Sequence, residues 1–202
     1  MILVGLTGGV GMGKTRAARF IQQRGIPVID TDVLAREVVE PGQPAWEQIR
    51  RDFGEEIIGP DGQLRRDELA RQVFADESRR KHLESITHPR IRERWLAQAE
   101  DWQREGQPLG VVVIPLLFET DTAGAFSAIV CVACSAATQR ERLLARGWKL
   151  EQAQQRIQAQ WPIEKKIALA NYVVWTEGAL EVHELQIERI LLAVRALQKL
   201  NT

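Results

Sequence analysis

Short apolar runs rich in β-branched residues recur along the chain, and segments with helical spacing separate them. The runs that we interpret as strands cover residues 2–6, 27–29, 111–114, 128–132 and 172–175. After the first run, a helix-compatible stretch extends from Lys14 to Arg24 and stops at Gly25, a residue type suited to the position after a helix end. Strands that alternate with helices are typical of a parallel sheet with helices on both faces. The pattern therefore predicts an α/β fold built on a parallel five-stranded sheet.

Two stretches between these strands have a long helical pattern. The first, about residues 33–104, contains no convincing strand, and the second, about 136–170, is rich in arginine and lysine. Within a single chain, 1–202, we predict these divisions: a core at about 1–32, 105–135 and 171–202, a helical insertion at about 33–104 that caps a site, and a lid at about 136–170. An amphipathic helix at about 179–200 closes the chain, with an apolar stripe formed by Leu185, Ile190, Leu191, Val194 and Leu197.

The composition, 45% hydrophobic and 27% charged over 202 residues, is that of an ordinary globular protein. Lys+Arg and Asp+Glu both total 27, so the formal net charge is zero. No global positive field attracts the chain to nucleic acid or to an anionic membrane, and no apolar run reaches the roughly 18 residues of a membrane-spanning helix. We therefore expect neither nucleic-acid nor membrane partners, and any phosphate site must be local.

The two cysteines, Cys131 and Cys134, fall in an apolar segment that we interpret as a strand. Residues three apart on a strand point to opposite faces, which disfavours a shared metal or an easy disulfide. Burial in the core is the common role for free cysteines. We therefore expect two buried, unpaired thiols and a reducing, cytoplasmic location.

A phosphate-binding loop is the strongest signal in the sequence. The segment GGVGMGKT, residues 8–15, fits the pattern G-x-x-x-x-G-K-[ST] between a predicted strand and a predicted helix. Glycines allow backbone N–H groups to turn inward around a phosphate, and the helix adds its positive N-terminal end. Lys14 is then placed to reach the β- and γ-phosphates of ATP, and the Thr15 hydroxyl to ligate the Mg²⁺ that bridges them. The predicted nucleotide-binding residues of this segment are Gly9, Val10, Gly11, Met12, Gly13, Lys14, Thr15 and Arg16.

The alternative to a phosphate-binding loop is a plain glycine-rich turn with a surface lysine. Even as a phosphate-binding loop, the segment does not identify the class of nucleotide-binding protein. A GTPase would need an N-K-x-D segment, which the sequence lacks. A motor or large ATPase usually ends a later strand in a carboxylate, whereas the run at 111–114 continues into Pro115. A helical cap and a basic lid suit an enzyme that excludes water from phosphoryl transfer. These features favour a small kinase over a non-catalytic nucleotide-binding switch.

Two aspartates, Asp30 and Asp32, stand where the second predicted strand ends. The carboxyl ends of strands in an open α/β sheet face the ligand crevice. Asp32 is therefore a candidate to accept a proton from an attacking hydroxyl or to order the water of a metal ion. Asp30 has an alternative use as the cap of the helix that follows.

Several further segments carry a resemblance to one family. In order they are GLTGGVGMGKT, VIDTDVLAREVVEPG, THPRI, IPLLFE, QRERLLARG, Gln160 and ANYVV, and they extend from residue 2 to about residue 178. In order and spacing they resemble the dephospho-coenzyme A kinase family of P-loop kinases. The resemblance implies a P-loop NTPase-type sheet with a helical substrate-binding insertion and a helical lid. It also implies ATP-dependent phosphorylation of the ribose 3′-hydroxyl of dephospho-coenzyme A, which gives coenzyme A and ADP in the last step of coenzyme A biosynthesis. A kinase for a nucleoside monophosphate or a sugar acid is the nearest alternative.

The resemblance also implies roles for individual residues. Asp32 would be the base or orienting acid for the 3′-hydroxyl, with Lys14 and Arg142 as the other catalytic residues. Arg142 and Arg146 lie four apart, on one face of a predicted helix, and match lid arginines that close on ATP. A solvated helix face is the alternative for this basic pair.

Three more residues, His88, Leu116 and Glu119, are predicted to contact the substrate through the same resemblance. Because proline disfavours helix in the residue before it, the alternative for His88 is that it ends a helix together with Pro89. The alternative for Leu116 is packing in the core. The role of Glu119 is left open.

Five positions depart from the usual pattern of the family: Met12, Arg16, Val113, Asn171 and Thr176. Met12 replaces a common serine at a site that contributes mainly its backbone N–H. Val113 stands where an aspartate is frequent, so Asp32 and Thr15 would carry more of the metal chemistry. Asn171 and Thr176 leave the contacts to adenine open.

We expect a monomer or a weak homo-oligomer.

Overall fold

Five strands form one parallel sheet in this computed structural model, which describes the backbone of residues 1–200 and their side chains except at 74, 75 and 197–200. The strands are β1 (Ile2–Gly8), β2 (Val28–Asp30), β3 (Leu109–Val113), β4 (Ala128–Ala133) and β5 (Tyr172–Trp175). They lie in the order β2-β3-β1-β4-β5, so that β1 is central and pairs with β3 and β4. The predicted five-stranded parallel sheet is confirmed.

Helices occupy the connections between the strands, except between β3 and β4, where the chain forms only a short 3₁₀ helix, Ala123–Ala125. They are α1 (Lys14–Gln23), α2 (Thr31–Glu37), α3 (Pro44–Phe53), α4 (Arg66–Ala75), α5 (Glu77–Arg104), α6 (Ala136–Ala145), α7 (Leu150–Gln158), α8 (Ile163–Leu169) and α9 (Leu180–Leu200). The helix predicted for residues 14–24 is α1. It ends where predicted because Gly25 adopts a φ of 71°, outside the helical region.

One face of the sheet packs against α1 and α9. Successive side chains of a strand point to opposite faces, and Val4 and Leu6 of β1 point to this one. They join Phe20 of α1 and Leu191 of α9 in a single buried cluster. Removing these apolar surfaces from water is the main favourable term that holds the two helices on the sheet.

The opposite face is covered by α8 and by the segment that follows β3. A Cβ atom added at Gly5 of β1 would lie 2.6 Å from Leu117 Cδ1, so the backbone of the central strand approaches this segment closely. Ile163 and Ile167 of α8 pack against the buried Met12, next to the end of β4. Helices therefore lie on both faces, as an α/β sheet requires.

The chain divides into two compact units. The first consists of Met1–Ile29 and the chain from Asp101 onward, and the second of Asp30–Glu100. The second unit is helical, apart from an isolated antiparallel bridge between Ile58 and Leu64. It has its own apolar cluster, formed by Val38, Val39, Ala45, Ile49, Phe53, Ile57, Leu64, Leu69 and Ile86. Each unit thus has a buried core of its own, which is the physical mark of a domain-like body.

The structure of α5 contradicts the alternative that His88 and Pro89 end a helix. It runs without interruption from Glu77 to Arg104 with Pro89 in its interior, so the pair does not end a helix. Proline removes one backbone donor and costs helix stability. The fully buried Trp95 and Ile86 on the same helix supply packing energy that outweighs this local cost.

The closing helix α9 is present, but only part of its predicted stripe is buried. Leu191 and Val194 are buried in the core, whereas Leu185 is 52% exposed. The side chain of Leu197 lies outside the described side chains. Among the described residues, α9 and the other helices are all too short or too polar to cross a bilayer.

Candidate nucleotide-binding site

The phosphate-loop motif lies between the central strand β1 and helix α1. Gly8 has a φ of 143°, and a Cβ atom at this position would lie 2.1 Å from the carbonyl oxygen of Val132. Gly13 has a φ of 101° in the left-handed region and directly precedes the first residue of α1. Only glycine tolerates these positions without strain. The loop therefore places its backbone at the N-terminus of α1, where the helix dipole favours anions.

Lys14 lies against the loop that precedes it. Its Nζ donates hydrogen bonds to the carbonyl oxygens of Gly8 at 2.8 Å and of Gly9 at 2.9 Å. Thr15 and Arg16 follow in the first turn of α1, and both are exposed. An ammonium at the end of a long, flexible side chain, held at a glycine-rich loop, is a suitable partner for the terminal phosphates of a nucleotide.

Two glutamine side chains bracket the loop at Val10. Gln160 Oε1 accepts a hydrogen bond from Val10 N at 2.8 Å, and Gln139 Nε2 donates to Val10 O at 2.8 Å. The sequence had indicated no role for Gln139, and Gln160 had entered only through the family resemblance. A glutamine in a helical segment carries no local signal of such a contact. The contacts of Gln139 and Gln160 with the loop can be identified only from the folded structure.

Thr176 fixes the next part of the loop. Its Oγ1 donates to the carbonyl oxygen of Met12 at 2.9 Å, and it accepts a hydrogen bond from Arg142 Nη1 at 2.8 Å. Arg142 Nη2 also donates to the carbonyl oxygen of Thr176. The structure thus brings the predicted lid residue Arg142 to the loop through Thr176, a position that the sequence had connected only with adenine.

Arg146, predicted to share a helix face with Arg142, lies just past the last residue of α6. The helix α6 ends at Ala145 and Arg146 is its capping residue, because Gly147 adopts a φ of 83°. Arg146 is exposed and Arg142 is half-buried.

A buried ion pair lies behind the loop. Lys166 of α8 is completely buried, and its Nζ donates to Glu119 Oε1 at 2.7 Å and to the carbonyl oxygen of Pro115 at 2.7 Å. The same Oε1 accepts a hydrogen bond from Trp161 N at 2.9 Å. Glu119 Oε2 is buried and has no hydrogen-bond partner among the described residues. Glu119, which is predicted to contact substrate, thus joins the segment after β3 to Lys166 of α8 and to Trp161 just before α8.

Glu177 caps the helix α6. Its Oε1 accepts hydrogen bonds from Ser135 N at 2.8 Å and from the Thr138 hydroxyl at 2.9 Å. Its Oε2 accepts one from Trp175 Nε1 at 3.2 Å. These donors, above all Ser135, lower the pKa of Glu177 to about 2.

The cysteines are both buried and unpaired, so the prediction of two free core thiols is confirmed. Burial raises the pKa of Cys131 to about 11, and burial also raises the pKa of Cys134. At neutral pH these thiols are protonated and unreactive.

The second unit carries three further predicted residues, Asp30, Asp32 and His88. Asp30 ends β2 and caps α2, where its Oδ1 accepts a hydrogen bond from Asp32 N at 2.9 Å. The capping role proposed for Asp30 is confirmed. Asp32 lies in the first turn of α2 rather than at the strand end, and it is exposed. His88 is half-buried on α5.

Three residues within or next to the strands have mainly structural contacts. Leu116 is half-buried after β3, and its carbonyl oxygen accepts a hydrogen bond from the Thr120 hydroxyl at 2.8 Å. Val113 is buried in the core. Asn171 Oδ1 accepts a hydrogen bond from Ile129 N at 2.8 Å, which joins it to the start of β4.

A resident metal centre is absent from the described part of the chain, since no three His, Cys, Asp or Glu side chains converge there. A divalent cation that arrives with a nucleotide is shared between the protein and the phosphate oxygens. The exposed Thr15 hydroxyl at the start of α1 is a hard oxygen donor that fits such a shared ion.

Comparison with known proteins identifies the family. A family model described as Dephospho-CoA kinase matches residues 2–181. A protein named Dephospho-CoA kinase from Anaeromyxobacter dehalogenans is 42% identical over 199 residues, which cover 96% of this chain and 93% of that protein. This chain belongs to the dephospho-CoA kinase family. The resemblance stated from the sequence is confirmed, and the chain is a phosphotransferase with ATP as its co-substrate.

Solved structures share the fold expected of this dephospho-CoA kinase family member. The crystal structure of TT1252 from Thermus thermophilus is 35% identical, has a TM-score of 0.83 and covers 95% of this chain and 96% of its own. A Dephospho-CoA kinase from Campylobacter jejuni is 20% identical, has a TM-score of 0.72 and covers 96% of this chain and 97% of its own. At that identity the second match supports the fold alone.

Proposed function

We propose that this kinase transfers the γ-phosphate of ATP to the ribose 3′-hydroxyl of dephospho-coenzyme A, the final step of coenzyme A biosynthesis. The observation that carries the proposal is the glycine loop, which leads into α1 with Lys14 Nζ beside Gly8 O and Gly9 O, in a chain of this family. Phosphoryl transfer requires mainly positioning and charge neutralisation, and a loop of this kind supplies both.

The loop residues 9–16 bind the nucleotide through their backbone, and Lys14 neutralises the β- and γ-phosphate oxygens. Thr15 would hold the Mg²⁺ that arrives with ATP, and this ion would supply positive charge that neutralises the phosphate oxygens. Arg142 turns from Thr176 toward the phosphates and screens the charge that develops, with Arg16 and Arg146 as further phosphate contacts. In this proposal residues 136–170 form the lid.

Asp32 orients the 3′-hydroxyl and accepts its proton as the oxygen attacks the γ-phosphorus. The exposure of Asp32 in the first turn of α2 supports this role, because a carboxylate there is accessible to a substrate hydroxyl. Residues 33–104 contribute to binding the acceptor, with His88, Leu116 and Glu119 as its contacts. The enzyme acts as a monomer or weak homo-oligomer, and its two unpaired cysteines suit a reducing compartment such as the cytoplasm.

The test is an ADP-release assay with Mg·ATP and dephospho-coenzyme A, with adenosine monophosphate and gluconate as control acceptors. We expect turnover with dephospho-coenzyme A alone. Turnover only with another acceptor would support the assignment as a kinase but reject dephospho-coenzyme A as its substrate. ATP binding without transfer to any acceptor would reject the proposed reaction.

A matched pair of variants tests Asp32. Asp32→Asn removes the proton acceptor and should lower kcat by at least about a hundredfold. Asp30→Asn should stay close to the parent enzyme, because asparagine also caps helices well. Equal activity in the two variants would remove Asp32 from the mechanism.

A further inference from the structure

The backbone of Val10 is held on both sides by side chains from elsewhere in the first unit. Gln139 on α6 donates to its carbonyl oxygen and Gln160, between α7 and α8, accepts from its N–H, each at 2.8 Å. The neighbours of Val10 are Gly9 and Gly11, residues whose backbones have the widest conformational freedom. The two amides therefore restrain the part of the loop that its own sequence restrains least.

Gln160 is in turn anchored by the buried ion pair. The next residue, Trp161, donates its backbone N–H to Glu119 Oε1 at 2.9 Å, and this oxygen also binds Lys166 Nζ at 2.7 Å. Lys166 is completely buried and is held a second time by Pro115 O. A connection thus runs from the end of β3 through Glu119 and Gln160 to the loop.

We propose that Gln160 and Gln139 are positioning residues that preorganise the phosphate loop, with Glu119 and Lys166 holding Gln160 in place. The inference rests on the proposed function, in which this loop binds ATP for transfer. Neither amide needs to touch the nucleotide. Fixing Val10 sets the direction of the peptide groups that follow it, and a misplacement of about 1 Å in a reacting group can cost about a hundredfold in rate.

The experiment compares Gln160→Met with Gln158→Met. Methionine preserves side-chain length but removes the amide acceptor, and Gln158 is an exposed glutamine at the end of α7 that serves as the matched control. For each purified full-length variant we would measure the Kd of ATP by calorimetry, the KM of each substrate, and the Tm.

For Gln160→Met we expect the Kd and the KM of ATP to rise about five- to tenfold, the loss expected for one hydrogen bond. The KM of dephospho-coenzyme A should stay within about twofold, because the acceptor does not depend on Val10. Gln158→Met should match the parent enzyme in all three measurements. Gln139→Met removes the hydrogen bond to the carbonyl oxygen of Val10 and should also weaken ATP binding. It replaces Gln160→Met as the test variant if Gln160→Met fails to fold.

Unchanged ATP affinity in both folded variants would overturn the inference. So would a fall in Tm with equal weakening of both substrates, since that result indicates a merely structural role. The Kd of ATP can be measured without an acceptor substrate. If the parent protein binds ATP but does not phosphorylate dephospho-coenzyme A, the proposed function fails while the comparison of affinities still decides the role of Gln160.

Discussion

Two adjacent lysines show how strongly position determines the energetics of one side chain. Lys166 is completely buried against Glu119, whereas its neighbour Lys165 is exposed and lies over the ring of Trp161, with its Nζ 3.2 Å from the ring centroid. Taking a lysine ammonium out of water is costly, and the cost is offset only by close partners. Removing one member of such a pair leaves the other charge buried without compensation.

We therefore expect Lys166→Met to lower the free energy of unfolding by about 3–5 kcal/mol. The control, Lys165→Met, loses only an exposed cation–π contact and should cost at most about 1 kcal/mol. Urea denaturation at pH 7 measures both values. The double variant Lys166→Met/Glu119→Met should recover part of the loss, because no unpaired charge remains. A Lys166→Met protein as stable as Lys165→Met would contradict this account of the pair.

The sequence carried a partial signal for this difference. Lys166 lies three residues after Ile163 and next to Ile167, and this is the face of α8 that packs toward Met12. Helical spacing therefore places Lys166 on the apolar side and Lys165 away from it. Its partner Glu119 is distant in sequence, and only the fold brings the two together.

At the scale of elements, the start of α6 depends on a cap that comes from beyond β5. Ser135 is the local N-cap and accepts a hydrogen bond from Thr138 N at 3.2 Å. Glu177 adds a carboxylate that accepts from Ser135 N and from the Thr138 hydroxyl. A negative charge at a helix N-terminus also interacts favourably with the helix dipole.

This cap predicts a pH dependence of stability. Since the pKa of Glu177 falls from 4.5 to about 2 on folding, its ionised form stabilises the folded state above pH 4.5. That contribution is lost as the pH falls from about 4.5 to about 2. Glu177→Gln should therefore be less stable than the parent protein at pH 7, and the difference should shrink at pH 3. Thermal unfolding at the two values checks it; a difference that is the same at both would contradict the lowered pKa.

Elements that depend on contiguous sequence signals could be predicted, whereas features that depend on contacts between residues distant in sequence could not. The strands β1 to β5 and the helix α1 follow from contiguous apolar runs and from glycine signals, which the sequence contains in full. The continuity of α5 through Pro89 depends instead on buried partners such as Trp95, so a local rule about proline gave the wrong alternative. The Gln139–Val10–Gln160 contact likewise joins segments about which local sequence is silent.

At the scale of the whole molecule, ligand binding at one loop should stabilise the entire first unit. The loop joins the central strand β1 to α1, and side chains from α6, from the α7–α8 connection and from the segment after β5 all hold it. An unfolded chain cannot reproduce this arrangement, so ATP binds the folded state alone. Binding free energy is then added to the free energy of unfolding.

We expect Mg·ATP at about 100 times its Kd to stabilise the protein by about 2.7 kcal/mol. For a protein of this size that corresponds to a rise in Tm of about 5–10 °C. Lys14→Ala should lose most of the rise, because the phosphates lose their main cationic partner. Lys81→Ala, which removes only an exposed ion pair with Glu77, should retain it. Chelation of Mg²⁺ with EDTA should reduce the rise in the parent protein and abolish turnover. An equal rise in Lys14→Ala and Lys81→Ala, measured by differential scanning calorimetry, would mean that ATP binds somewhere other than the loop.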